Sequence, residues 1–581
     1  MTPRSRRWSS RSRDGRTTIP TATAGGDEGD PHEVAMSGPP GGGFPGAGSR
    51  PPGRPSRPPL DAASRQAREE ARRQMRRTYM TRRAFVGGGL VALFGGLAAA
   101  VGAFGGGGKK RPQVQSIPGA TTTPTEVGHV FETVVQGGRV MDPESGYNVI
   151  ANVGIDAGTI VAVSESTLTG ATTIDATGLV VSPGWIDILS YEPNSYGIWY
   201  KVADGVTTNL GLHGLQARAA DFFLRWGSEE ERPPTNYGGA FSDPWTRSQV
   251  LGLGVDDPAS ASQIAELVRL CEEDLAAGYI AVDFEPEYTP GVSFDEIKAL
   301  AEVAKAHNVP CTFHGRYSDD VAPGTNAETL DEIIRVGQET GARVHIEHIV
   351  STGGTFTMAE SLGKVQVARD AGVEVTACMY PYDFWATYLL SARFNDGWQE
   401  RFHITYEDLV VVGTGERLTA SSFASYQASE DNILTAAYAI PETDVRLCLQ
   451  SDFVMLGSDA ILEPGNRNHP RSTGCFSRAI GRYTRELEVI DLMSALAKAT
   501  ILPARLTDAG APAMRKKGRV QIGADADLTI FDAATLADRS TVEQPGVESE
   551  GVRYVLVAGQ VVRDLSGNHQ EVRPGAPILK G

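Results

Sequence analysis

Short runs of β-branched and apolar residues recur through the middle of this chain, each following a stretch with helical periodicity. Thr207-Thr208-Asn209-Leu210, Ile280-Ala281-Val282-Asp283-Phe284, Cys311-Thr312-Phe313, Val344-His345-Ile346, Val375-Thr376-Ala377-Cys378 and Phe453-Val454-Met455-Leu456 are such runs. Continuous apolarity predicts strands buried on both faces, which parallel sheets require. Between two of them, Ser293-Phe294-Asp295-Glu296 reads as a capping box opening a helix that carries Ile297, Leu300, Ala301 and Ala304 on one face. A strand–helix rhythm sustained over residues 183–510 predicts an α/β fold, a TIM-like (β/α)8 barrel. Residues 384–445 break that rhythm with aromatics and no clear period, and predict an inserted lobe or lid beside the barrel mouth.

The flanks have another texture. Val134-Val135-Gln136, Gly138-Arg139-Val140-Met141, Val153-Gly154-Ile155 and Thr159-Ile160-Val161-Ala162-Val163 read as short strands, with Asp156-Ala157-Gly158 as a tight turn. Similar runs return in Leu528-Thr529-Ile530-Phe531 and Tyr554-Val555-Leu556-Val557. Neither end has enough strands to cover a face alone, so residues 131–182 and 511–581 are expected to pair into one small β-sandwich.

Residues 1–111 carry 20 Lys and Arg against 8 Asp and Glu, or +12, which leaves −29 for the remainder of a chain whose net charge is −17. An acidic body excludes nucleic acid as a partner, because phosphate binding needs a basic footprint. Residues 1–80 are rich in Arg, Pro, Gly and Ser without hydrophobic period and are expected to be disordered; initiation at Met75 or Met80 is an equally simple reading. At 81–111, Thr81-Arg82-Arg83-Ala84-Phe85-Val86 precedes a Gly- and Ala-rich apolar run to Phe104 and then Lys109-Lys110-Arg111. This resembles a twin-arginine signal, which makes the export machinery a partner and the location periplasmic or extracellular. The competing reading is one membrane-anchoring helix over 84–104. Residues 112–130 are a Pro/Thr linker, and the five scattered cysteines suggest buried thiols rather than a disulfide framework.

Only ten histidines occur in the chain, and three of them fall where strands end. His213 follows the second barrel strand within Gly211-Leu212-His213-Gly214, while His314 and His348 follow later ones; Asp459 ends the last, in Leu456-Gly457-Ser458-Asp459. Strand ends of a parallel barrel share one rim, where such folds gather their chemistry. Three imidazoles there make a three-histidine zinc site with an open fourth position, and Asp459 is placed to accept a proton from water. For each histidine singly, a hydrogen-bonded core imidazole is the alternative. His345 alternates to the opposite face and reads as structural. Arg471 suits bidentate recognition of a carboxylate, or a structural ion pair. Tyr380 and Tyr382 line the pocket or form a packed turn. Asp283 and Glu285 leave the fourth strand as an added ligand or a surface group.

Pro183-Gly184-Trp185-Ile186-Asp187, Gly205-Val206-Thr207-Thr208, Glu287-Tyr288-Thr289-Pro290-Gly291, Tyr380-Pro381-Tyr382, Gly457-Ser458-Asp459 and His469-Pro470-Arg471, in this order, resemble the amidohydrolase superfamily. Within it they are similar to the N-acyl-D-amino-acid deacylase (D-aminoacylase) branch, over about residues 130–570. The resemblance implies a zinc-dependent barrel enzyme that hydrolyses the amide of small N-acylated D-amino acids. It puts the barrel histidines on His314 and His348, the catalytic aspartate on Asp459 and the substrate-carboxylate arginine on Arg471. Three departures stand out. Leu189-Ser190-Tyr191 replaces the His-x-His after the first strand, so one zinc ion rather than two is expected, with hydrolysis by water activated on it. His213 replaces the cysteine of that branch, which removes a ligand charge and strengthens the metal as a Lewis acid. Val350 replaces a lysine that helps bind the substrate carboxylate. Two other readings compete: an inactive, ligand-holding barrel, and a hydrolase of cyclic amides. The sequence assigns no oligomeric state.

Overall fold

The computed structural model describes residues 128–581 except 322, 323, 430 and 431. The expectations for residues 1–111 and nearly all of the linker therefore lie outside the described residues. Among the described residues no helix is long and apolar enough to cross a membrane.

Strands from both flanks join in one nine-stranded sheet. Its N-terminal members are β1 (Val130–Asp142), β2 (Tyr147–Asp156), β3 (Thr159–Ser164), β4 (Thr169–Asp175) and β5 (Val180–Pro183). Two runs expected as separate strands are one in β1, whose register shifts between Val135 and Gly138 where Gly137 adopts φ +70°. A bulge lets one strand bend without ending, and glycine takes that backbone freely. The turn between β2 and β3 forms as expected, with Ala157 and Gly158 both at positive φ. Val135, Val140, Val153 and Ile160 bury against Leu528, Ile530 and Leu556, so each end supplies what the other lacks to make a core.

The chain passes directly from β5 into β6 (Trp185–Asp187), the first barrel strand. Any side chain at Gly184, between them, would meet the Thr207 side chain at 2.2 Å. The barrel continues with β7 (Val206–Gly211), β8 (Asn236–Gly239) and β9 (Phe241–Ser242), β10 (Val282–Phe284), β11 (Cys311–Phe313), β12 (Val344–Ile346) and β13 (Val375–Met379). β8 and β9 act as one strand interrupted at Ala240: β8 pairs with β7, and β9 with β10. After the lobe, which holds β14 (Trp385–Tyr388), β15 (Leu409–Val411) and β16 (Leu434–Ala437), comes β17 (Val454–Leu456), parallel to β13. All barrel pairings are parallel. The ring closes from β17 to β6 through Asp459 N–H donating to the Leu189 carbonyl at 2.6 Å and Ser458 N–H to Asp187 Oδ1 at 3.0 Å. The remaining strands, β18 (Leu528–Phe531), β19 (Val552–Val557), β20 (Gln560–Asp564) and β21 (Gly567–Asn568), return to the flanking sheet, β18 pairing with β5.

Two local expectations change. Ser293 caps helix Phe294–Ala306 through Glu296 N–H, but the Glu296 carboxylate pairs with Arg247 instead of closing the box. The lobe is a three-stranded antiparallel sheet, order β14-β16-β15, with short helices. All five cysteines are buried free thiols, as expected.

A buried ion pair braces the β6–β17 seam. Lys201 Nζ lies 2.7 Å from Asp187 Oδ2 and 2.5 Å from Ser458 Oγ, with both charged groups buried. Removing one partner of such a pair strands the other charge. Lys201→Met is therefore expected to lower stability by about 3–5 kcal/mol, measured by denaturant unfolding; a loss below about 1 kcal/mol, the exposed-pair range, would contradict that account.

Candidate metal centre

The pairing register sets the site. Phe284, Phe313 and Ile346 stand opposite one another across β10, β11 and β12. The next residue of each strand, Glu285, His314 and Glu347, therefore comes to one level of the rim. His314 N–H donates to the Phe284 carbonyl at 2.9 Å and Glu347 N–H to the Phe313 carbonyl at 3.0 Å, which fixes where each side chain starts. His213 enters from just past β7. Beside it Gly214 holds φ +63°, where a Cβ would strike the Tyr191 ring at 2.7 Å.

His348 and Asp459 are carried differently from the expectation. Neither sits in its strand; each lies in the turn beyond, with positive φ of 24° and 51°. Non-glycine residues hold that conformation only where surrounding contacts overdetermine it. His348 N–H donates to Cys378 Sγ at 3.3 Å, and Asp459 N–H to the Leu189 carbonyl at 2.6 Å. The outcome is convergence: His213, His314, Glu347 and His348 each offer a ligand atom within 4.8 Å of the others, all buried.

His314 Nδ1 and His348 Nε2 are 3.1 Å apart. Two nitrogens bound to one tetrahedral zinc at ~2.0–2.1 Å lie about 3.3 Å apart, so this spacing fits a shared ion. Hydrogen bonding points the same way. His314 Nε2 is 2.8 Å from Glu287 Oε2, and a carboxylate only accepts, so Nε2 carries the proton and Nδ1 offers a lone pair to the rim. His348 Nδ1 is buried without a hydrogen-bond partner, and burial together with the neighbouring His314 and His213 holds this imidazole well below the usual histidine range. A neutral imidazole is the form that binds metal. Asp459 Oδ2 is 3.8 Å from His348 Nε2, and Oδ1 3.7 Å from His213 Nε2. The donor set suits zinc.

Residues outside the sequence-derived set complete the surroundings. Burial raises the Glu287 carboxyl, but Arg393 and the hydrogen bonds from His314 and Ser318 outweigh it and hold the group at about 2. Arg393 comes from the inserted lobe. Its guanidinium lies 3.1 Å from Glu287 Oε2 and donates to Ser318 Oγ, the Ser351 carbonyl and Thr352 Oγ1. The lobe therefore braces the carboxylate that sets the His314 tautomer. Partners of this kind typically carry 10–100-fold in metal affinity. Arg393→Met is expected to raise the zinc dissociation constant about 10–100-fold in a chelator competition, with Arg393→Lys in between; unchanged affinity would make Arg393 a fold residue only.

The other sequence-derived residues separate. Arg471 begins the helix Arg471–Ser477 and grips Asp459, Nη2 to Oδ2 at 2.6 Å and Nε to its carbonyl at 3.1 Å, while Nη1 is buried without a hydrogen-bond partner. Tyr380 lies under that guanidinium at 4.1 Å, its ring 6.2 Å from His348. Tyr382, three residues past the end of β13, sits one layer back: its ring packs on His469 and Arg478, and its hydroxyl reaches Asp538. Asp283 and Glu285 are both fully buried, so neither takes a surface role. His345 is buried with Nδ1 on Thr376 Oγ1 at 2.8 Å, a contact of the sheet itself. Where His-x-His would stand, Leu189 is buried and the Tyr191 hydroxyl donates to Asp459 Oδ1 at 3.3 Å. Val350 is buried in the core.

Known proteins agree with this architecture. The model of the Amidohydrolase family matches residues 196–563. The N-acyl-D-glutamate deacylase of Alcaligenes xylosoxydans xylosoxydans is 29% identical over 469 residues, 74% of this chain and 93% of that protein. The D-aminoacylase of the same organism is 27% identical over 481 residues, 76% of this chain and 96% of that protein. Among solved structures, the zinc- and phosphonate-bound N-acyl-D-glutamate deacylase of Bordetella bronchiseptica superposes with a TM-score of 0.66 at 24% identity, covering 78% of this chain and all of that one. With a TIM-like barrel, a sheet shared by both ends and histidines gathered beyond β7, β11 and β12, the chain belongs to the amidohydrolase family, on its D-aminoacylase branch.

Proposed function

We propose that this chain hydrolyses the amide bond of N-acylated D-amino acids at a zinc centre held by His213, His314 and His348. The observation that carries the reading is the 3.1 Å approach of His314 Nδ1 to His348 Nε2, with the Asp459 carboxylate 3.8 Å from the latter. A zinc ion there supplies Lewis acidity to a carbonyl and acidity to water. Asp459 takes the proton of the attacking water and returns it to the leaving nitrogen, the two proton transfers that amide hydrolysis needs. Arg471 holds that carboxylate in place, with Nη2 2.6 Å from Oδ2 and Nε on the Asp459 carbonyl. Its Nη1, which has no hydrogen-bond partner among the described residues, supplies the donor for a substrate carboxylate, and Tyr380 stacks beneath. Tyr191 fixes the other oxygen of Asp459.

The test is amine release from paired N-acyl-D- and N-acyl-L-amino acids by full-length protein of measured zinc content. Turnover of the D series is expected. Turnover of L substrates only, or of cyclic amides only, would overturn the substrate assignment and leave the hydrolase intact.

The reading extends to location. Twin arginines before a weakly apolar run suit export of a protein that has already folded around its metal. Replacing Arg82 and Arg83 together with lysine is expected to leave the chain in the cytoplasm on cell fractionation. Undiminished export would contradict it.

A further inference from the structure

The proposed reaction needs Asp459 to serve two places, the attacking water and the leaving nitrogen, yet this residue is clamped. Arg471 donates from Nη2 to its Oδ2 at 2.6 Å and from Nε to its backbone carbonyl at 3.1 Å. Its own N–H donates to the Leu189 carbonyl at 2.6 Å, with φ held at +51°. We infer that Tyr191 is a second proton carrier of this site: its hydroxyl takes the proton that Asp459 has collected and gives its own to the leaving nitrogen.

The first argument is the unlike chemistry at the two oxygens of Asp459. Oδ2 is on a guanidinium, which only donates and does not release its protons. Oδ1 accepts from the Tyr191 hydroxyl at 3.3 Å, and a phenol hydroxyl both donates and accepts. His213 Nε2 and His348 Nε2, at 3.7 and 3.8 Å from the carboxylate, belong to the metal centre. Of these partners, the hydroxyl alone can receive a proton from Oδ1 and pass one on. Turning it takes rotation about a single C–O bond, whereas swinging the Asp459 side chain would strand the buried Arg471 charge.

The second argument is that the fold builds this contact. Tyr191 stands just past β6, at the second position of the missing His-x-His, on backbone tied at both sides. Ser190 N–H donates to the Leu210 carbonyl at 3.2 Å, and Asn209 Nδ2 to the Tyr191 carbonyl at 3.3 Å. The Tyr191 ring packs on His213 with centroids 5.6 Å apart and takes the space that Gly214 leaves. Leu189, two residues earlier, is the acceptor that closes β17 onto β6, so one segment fixes both the Asp459 backbone and the hydroxyl facing its carboxylate. Leu189 and Ser190 are buried, whereas Tyr191 is partly exposed at the barrel mouth.

The protons balance. Water gives one to Asp459 Oδ1 as its oxygen bonds the carbonyl carbon. When the C–N bond breaks, the Oδ1–H bond breaks as a new O–H bond forms on Tyr191, whose former proton makes the N–H bond of the amine. Carboxylate and phenol end as they began.

The inference rests on the hydrolase reading above and alters only the return of the proton. Full-length Tyr191→Phe protein of measured zinc content is assayed on the N-acyl amino acid that wild-type protein turns over fastest, and on its thioester analogue, in which sulfur replaces the amide nitrogen. A thiolate departs without a proton; an amide nitrogen does not. Expected is a fall in kcat of about 10²–10⁴-fold on the amide, a far smaller fall on the thioester, and zinc content equal to wild type. Equal losses on both substrates would make Tyr191 a positioning residue for Asp459 only and overturn the relay, as would full activity on the amide or a loss that follows missing zinc. Wild-type protein inactive on every amide tried would instead overturn the hydrolase reading, and the relay with it.

Discussion

Asp459→Asn is expected to lower kcat by about 10²–10⁴-fold, the usual contribution of a positioned general base or acid, while zinc content and fold stay unchanged. The substitution keeps the shape and an oxygen for the Arg471 guanidinium now 2.6 Å from Oδ2, and it leaves the backbone bond to Leu189 untouched. Asparagine cannot take the proton. If kcat falls with KM unaltered, the lost interaction belongs to the transition state alone. A loss explained by missing zinc would instead make Asp459 a ligand, and full activity would remove it from the chemistry.

His348→Ala is expected to abolish activity together with the histidine-bound ion. Its Nε2 is one of two nitrogens at ion-sharing distance, and alanine offers neither a donor nor a reason to keep φ at +24°. Removing a ligand from a three-nitrogen set costs affinity as well as Lewis acidity, so excess zinc should not restore the rate. Activity measured across a zinc titration, alongside metal content, checks this. Recovery of wild-type turnover at high zinc would show that His348 tunes binding without being needed for the reaction.

The barrel and its rim were legible in the sequence for one physical reason. Parallel strands buried on both faces must be apolar, so the first polar residue after each run marks the rim. Cys311–Phe313 and Val344–Ile346 have the bounds their composition suggests, and His314 follows directly. The same rule singles out Glu285 after Val282-Asp283-Phe284, and applied to Val344-His345-Ile346 it puts the unassigned Glu347 level with His314. Glu347 was not legible because a carboxylate beside His348 reads as a solvated charge until the fold buries it. Arg393 was not legible at all: it lies 106 residues from Glu287, in a lobe without periodicity, and only the folded chain brings the two together. Arg471 was found, but its grip on Asp459 depends on the helix start at Pro470 and on the turn that gives Asp459 its positive φ. Tyr380 and Tyr382 lie past the end of β13, where strand alternation no longer applies, so their sequence spacing did not show that one faces His348 and the other Asp538.

The central claim is that imidazoles from separate strands meet around a divalent ion. Anomalous diffraction at the zinc edge, from crystals of zinc-loaded full-length protein, tests it directly. A peak is expected at about 2.0–2.1 Å from both His314 Nδ1 and His348 Nε2, with His213 turned inward to it. Zinc bound elsewhere with no peak between those two nitrogens, or His213 swung out of the cluster, would contradict it.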